Sequence, residues 1–195
     1  MGTMTAERLR VAASLPRHRW TVADFDRMLG SGLLDEADRV ELIEGELIDM
    51  APIGSKHAYT VDSIARMLQR LVGNRYLVRV QNPLRLGESS EPQPDIAVVL
   101  DRSYAAAHPE AADVLLLIEV ADTTLEFDRD IKLPLYARHG IPECWLIDVA
   151  GRQLSIHREP AEGEYRHICR PTSGKTLHLL ASDGPALRAA ELFAD

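Results

Sequence analysis

Apolar residues recur along this chain at two different periods, and the changes between them mark out its elements. Val61, Ile64, Ala65, Leu68, Leu71 and Val72 repeat at helical spacing. They predict a helix capped by Ser55 and ended by Gly73. A shorter helix is predicted from about Val22 to Leu29, where Thr21 and Asp24 have capping-box spacing and Gly30 and Gly32 act as the stop. Between these helices, VELIEGELIDM (Val40 to Met50) sets two apolar runs around Glu44-Gly45. That is the pattern of a β-hairpin with glycine where φ must be positive.

Short, nearly continuous apolar runs then predict strands at Tyr76–Gln81, Leu84–Gly87, Ile96–Leu100, Val114–Val120 and Glu143–Val149. A further strand runs through His157 after a turn at Ala150-Gly151-Arg152, with weaker signals near Tyr165–Cys169 and Lys175–Leu180. GESSEPQP is a loop by composition, and residues 101–112 read as a loop or partial helix. A helix is predicted from about Asp128 to Arg138. Pro134 lies inside it and should either kink it or move its start later. The C-terminal pattern suits strand and helix equally. This order implies a mixed α/β (α+β) domain, a central mixed sheet flanked by helices, in which 114–149 forms a right-handed parallel crossover. Residues 1–19 show no period and are expected to be a flexible segment, with 20–195 a single domain.

Composition narrows the class. The chain has 195 residues, enough to bury a core without staples. Cys144 and Cys169 form no C-x-x-C pair, and their apolar neighbours predict two buried free thiols, as a reducing cytoplasm allows. MGTMTAERLR lacks the apolar stretch of a signal peptide, and the longest strongly apolar run, Val114 to Ile118, is too short to span a bilayer. A cytoplasmic protein without membrane contact is therefore expected. The net charge of −8 argues mildly against non-specific nucleic-acid binding. Between Ser63 and Gly87, however, there is no acid, and Arg66, Arg70, Arg75, Arg79 and Arg85 all fall there. Arg66, Arg70, Arg79 and Arg85 are candidate nucleic-acid contacts; a solvated helix face and strand edge explains them equally well.

The candidate chemistry lies in the middle of the chain. Glu119 ends VLLLIEV, a strand expected to be buried on both faces, where an ionised carboxylate costs several kcal/mol unless compensated. Asp95 opens another apolar strand, directly after Pro94. Paired carboxylates raise each other's pKa, and a hard divalent cation, Mg²⁺ or Mn²⁺, relieves both burial and repulsion. A third acid is expected in the hairpin, Glu41 or Glu44, with Glu41 favoured because a strand holds its side chains more rigidly than a turn. Lys132, one turn into the next helix, can overhang the strand ends, although spacing alone favours an ordinary surface lysine. Asp128 lies four residues before it, a favourable ion-pair spacing. His57 is a candidate auxiliary residue, with a surface position at a helix start the better reading. Histidine spacing supports no zinc site, and no G-x-S-x-G, Walker or Rossmann pattern occurs.

VELIEGELIDM, PIGSKH, PQPDIAVV and LLLIEVADTTLEFDRDIKLPLYARHGIPECWLIDV together resemble the Uma family (Uma-two) of restriction endonucleases, within the PD-(D/E)XK nuclease superfamily. The spacing of Glu119, Asp128, Lys132, Tyr136, Gly140, Trp145 and Asp148 carries most of that specificity. The resemblance implies a restriction-endonuclease-like fold, with Asp95 as the motif aspartate and Glu119 as its second acid. Ala121 stands where the motif lysine belongs, so the lysine is displaced to the following helix as Lys132, and Asp122 stands where the family often has serine. The implied activity is Mg²⁺- or Mn²⁺-dependent phosphodiester hydrolysis, with DNA the expected nucleic acid and a homodimer plausible for double-strand cleavage. The rival class is a non-catalytic nucleic-acid-binding or interaction domain of the same fold.

Overall fold

A computed structural model describes residues 16–179 and 186–193. Most of the expected N-terminal segment lies outside these residues. Its described end already makes contacts, with Arg19 pairing to Glu46 at 2.9 Å.

α1 (Val22–Gly30) begins with the expected capping box, in which Thr21 and Asp24 each satisfy the other's amide. β1 (Val40–Ile43) and β2 (Glu46–Asp49) form the expected hairpin. Its turn holds both Glu44 (φ 49°) and Gly45 (φ 80°) in the left-handed region. Gly45 is required twice over, because a β-carbon there would come within 2.8 Å of the Arg19 side chain. α2 (Ser55–Val72) follows. Ser55 is its first residue rather than its cap: Gly54 takes the N-cap with no side-chain hydrogen bond.

The main sheet has six strands in the order β3-β4-β5-β6-β7-β8: Tyr76–Val80, Ile96–Leu100, Val114–Ala121, Glu143–Asp148, Gln153–Ala161 and Glu164–Cys169. Only β5 and β6 pair in parallel, joined by the helical crossover; every other neighbouring pair is antiparallel. Leu84–Gly87 is not a strand. It contributes one bridge, Arg85 to Glu110, while Leu84 and Leu86 plug the core from a loop. Lys175–Leu180 shrinks to β9 (Thr176–Leu177), paired with β10 (Leu187–Arg188), and a 3₁₀ turn, Ala189–Phe193, follows. The C-terminal segment thus holds a short strand and then a helical turn.

Helices cover both faces of the sheet, which explains why β5 is buried at all eight positions. Val61, Ile64 and Leu68 of α2 pack against Val98, Ile118, Val120 and Trp145. The opposite face carries Ala97, Leu117, Ala121 and Leu146 beneath the helix that precedes β6. That helix starts earlier than the sequence suggests. It runs as α3 (Leu125–Phe127), a π-turn (Asp128–Lys132) and α4 (Leu133–Arg138). The widened turn ends two residues before Pro134, whose missing amide hydrogen would break α-helical bonding there in any case. Cys144 is buried as expected, but Cys169, on the edge strand β8, is exposed. An apolar neighbour on an edge strand does not guarantee burial.

Candidate active site

Strand register brings the two central acids together. β4 and β5 are antiparallel with Ile96 opposite Ile118, so one step further along Asp95 comes opposite Glu119. Both belong to the alternation that points Ala97 and Leu117 toward α4. Each carboxylate is buried and held by donors. Asp95 accepts from the Val120 amide at 2.8 Å, and its other oxygen meets His57 Nε2 at 2.8 Å and the Gln81 amide at 3.2 Å. Glu119 accepts from the Tyr136 hydroxyl at 2.5 Å and from the Asp95 amide at 3.4 Å.

The hairpin and the crossover helix complete the cluster. Glu41, 2% exposed, points inward from β1 and accepts the Gln93 amide at 3.0 Å. Lys132, from the π-turn, sets its Nζ 3.2 Å from Glu41 and 3.4 Å from Glu119. Lys132 and Tyr136 are four residues apart and both reach Glu119, so a single helical face carries them. Asp128 lies one turn before Lys132, buried, with its carboxylate bonded by Thr124 at 2.6 Å.

Burial pushes the Glu119 carboxyl well above the usual carboxylate range, a rise that Lys132 opposes and Asp128 and Asp95 reinforce. Asp128 is raised by burial too, against the pull of Lys132 and Thr124. For Lys132, burial favours the neutral amine. Glu119, Glu41, Asp128 and Asp95 outweigh it and hold the group above its ordinary value, as a permanent ammonium. These side chains line a cleft of about 850 Å³. Its lining carries Glu41, Asp49, Asp95, Glu119, Asp122, Glu126 and Asp128 against Arg39 and Lys132 as fixed cations. The donors are oxygens, which suits a hard cation in chemistry. As it stands, however, the cluster is closed around the lysine ammonium, and among the described residues no three His, Cys, Asp or Glu side chains are arranged to hold a metal ion.

The other sequence candidates divide. Glu44 is exposed at the hairpin tip and pairs with Arg138 at 2.6 Å, so a metal role with Glu41 is not what its position offers. The turn points it away from the cleft. Arg85 is taken up by Glu91 at 3.1 Å and Asp26 at 3.0 Å, an internal pairing rather than a basic rim. Arg79 bonds Asn82 and lies 5.5 Å from the Tyr104 ring, while Arg66 and Arg70 are exposed on α2 outside the cleft lining. His57, read as a surface residue, is instead in contact with Asp95. Tyr136, Gln81, Gln93 and Arg39 were not expected there. Tyr136 alone had a signal, its spacing from Lys132; the others arrive through strand-end and loop geometry.

The sequence pattern of the Uma2 family, described as "Putative restriction endonuclease", matches residues 22–186. The chain belongs to the Uma2 family. A crystal structure of a "putative nuclease belonging to DUF820" from Anabaena variabilis shares the fold, with TM-score 0.72, 17% identity, and coverage of 89% of this chain and 97% of that one. No curated protein matches the sequence. The Uma2 match spans every acid of the cleft together with Lys132, and the shared fold is the mixed sheet with helices on both faces. Among the described residues of this Uma2 chain, no helix is long and apolar enough to cross a membrane.

Proposed function

We propose that this Uma2 protein is a metal-dependent endonuclease that hydrolyses phosphodiester bonds in DNA. The observation that carries the reading is the buried cluster of Glu41, Asp95, Glu119 and Lys132 in one cleft, with Lys132 between Glu41 and Glu119 and Asp95 beside Glu119. Four ionisable groups assembled from four separate elements are expensive to bury and unnecessary for a stable core. Asp95, Glu119 and Glu41 would supply oxygen ligands for Mg²⁺ or Mn²⁺ once Lys132 gives up its place between Glu41 and Glu119; when bound, the metal would lower the pKa of a water and polarise a phosphate. Lys132, beside Glu41 and Glu119, would position that water. His57 and Gln81 fix the orientation of Asp95, and Tyr136 that of Glu119. The non-catalytic reading draws on one observation: the acids are already satisfied, Glu41 and Glu119 by Lys132 and Asp95 by Val120, His57 and Gln81.

Cleavage assays separate the two. Supercoiled plasmid, single-stranded DNA and RNA are incubated with the protein in Mn²⁺ or in EDTA, alongside Asp95→Asn and Glu119→Gln. The expected result is DNA cutting that needs Mn²⁺ and disappears in both variants. Cutting that survives in either variant, or binding without any cutting, defeats the reading.

A further inference from the structure

We propose that Arg39 is the cation that holds a backbone phosphate in the cleft, an inference that rests on the nuclease reading and supplies its anion-binding residue. The cleft needs one. Its lining is dominated by carboxylates, Lys132 is committed to Glu41 and Glu119, and His57 is committed to Asp95. Arg39 stands two residues before Glu41 and lines the same cleft. Among the described residues it forms no ion pair, although Asp49 and Glu41 share the cleft with it. Its Nε is closed off from solvent and has no hydrogen-bond partner. That nitrogen is out of a ligand's reach, so an anion would meet the remainder of the part-exposed guanidinium, which no side chain of the cleft engages.

The backbone holds the side chain in place. Arg39 adopts the left-handed conformation, φ 47° and ψ 58°, which a β-carbon disfavours. Its carbonyl accepts the Met50 amide at 2.9 Å, extending the hairpin ladder by one rung and clamping the residue at the cleft mouth. A guanidinium presents a planar fork of donors that matches two oxygens of a phosphate, which a lysine ammonium does not. Acids and an uncommitted guanidinium lining one cleft fit a phosphodiester with its cation.

The test uses the full chain, an end-blocked fluorescent oligodeoxynucleotide, and Ca²⁺ in place of Mn²⁺ so that binding is read without cutting. Arg39→Gln is expected to weaken affinity about tenfold and to flatten the dependence of log K on log salt by about one contact. Arg39→Lys should recover the salt dependence and only part of the affinity. Arg166→Gln, an exposed arginine on β8, should change neither. The metal-free melting temperature of Arg39→Gln should match or exceed that of the parent, where a merely structural role would lower it. Unchanged affinity and salt dependence in Arg39→Gln overturn the proposal, even if DNA is still cut and the nuclease reading stands. Loss of affinity only for a 5′-phosphorylated end overturns it as well, since the phosphate held would then be terminal. Loss of end-blocked binding in a protein that cuts nothing removes the nuclease reading and leaves Arg39 as the anchor.

Discussion

Lys132→Met removes the one ammonium between Glu41 and Glu119 while keeping the length of the side chain. Nζ lies 3.2 Å from one carboxylate and 3.4 Å from the other. At an effective dielectric of about 20, each contact is worth about 5 kcal/mol of attraction. Desolvation of the ammonium offsets much of that, and breaking buried pairs of this kind typically costs about 3–5 kcal/mol. In a domain of this size that is a loss of roughly 6–20 °C in Tm. The cost must depend on pH. Without Lys132 the Glu119 carboxyl rises further above its unfolded value, so its folded-state proton is retained to higher pH. A group whose folded pKa is raised contributes stability that is present below its unfolded pKa and lost as pH rises through the folded one. The Met variant should therefore nearly match the parent at pH 4 and fall furthest behind at pH 8. Mn²⁺ should narrow the gap, because a cation bound at a hundred times its Kd adds about 2.7 kcal/mol. Urea and thermal melts at pH 4, 6 and 8, in EDTA and in Mn²⁺, measure all of this. A penalty below about 1 kcal/mol at pH 8, or one independent of pH, would refute the view that Lys132 is the counter-charge of the buried acids.

Glu41→Gln should abolish Mn²⁺-dependent cleavage, whereas Glu44→Ala should leave it intact and cost at most about 1 kcal/mol of stability, since its partner Arg138 is partly exposed; equal losses would show that the hairpin tip takes part. His57→Ala should weaken Mn²⁺ binding roughly 10–100-fold by releasing Asp95, with His57→Gln recovering part of it, as read by isothermal titration; an unchanged affinity removes His57 from the site. His157, on β7, is pushed down to about 4 by burial, with Arg170 contributing. Its folded pKa is depressed, so it contributes stability present above about 6.5 that is lost as pH falls toward 4. His157→Gln should lose about 1–2 kcal/mol less than the parent between pH 7.5 and pH 4.5 in urea melts, and parallel acid limbs would contradict this.

Local chemistry was legible along the chain wherever a short segment decides its own conformation. The Thr21–Asp24 capping box, the Glu44-Gly45 turn, and β4 and β5 as continuous apolar runs all follow from residues within a few positions of one another. Glu119 stood out because an acid in an otherwise apolar strand contradicts its surroundings. What failed was mostly inference about solvent, caps and pairing: Cys169 is exposed, Ser55 does not cap, and Leu84–Gly87 pairs by one bridge instead of forming a strand.

The sequence by itself determined most of the elements, the two-sided burial of β5 and the pair Asp95 and Glu119, because periodicity and the cost of a buried charge are properties of a stretch of chain. Only the tertiary structure decided which acid of the hairpin enters the cleft and whether Lys132 reaches it. Glu41 and Glu44 differ by three positions, yet the register of the hairpin against Gln93 buries one and the turn exposes the other. Lys132 depends on a π-turn that rotates its side chain toward Glu119. His57 and Arg39 come from the ends of elements distant in sequence from both acids. Their contacts exist only once the sheet, the hairpin and the crossover helix have docked, since no local rule fixes the distance between side chains that the chain brings together from 38 residues away.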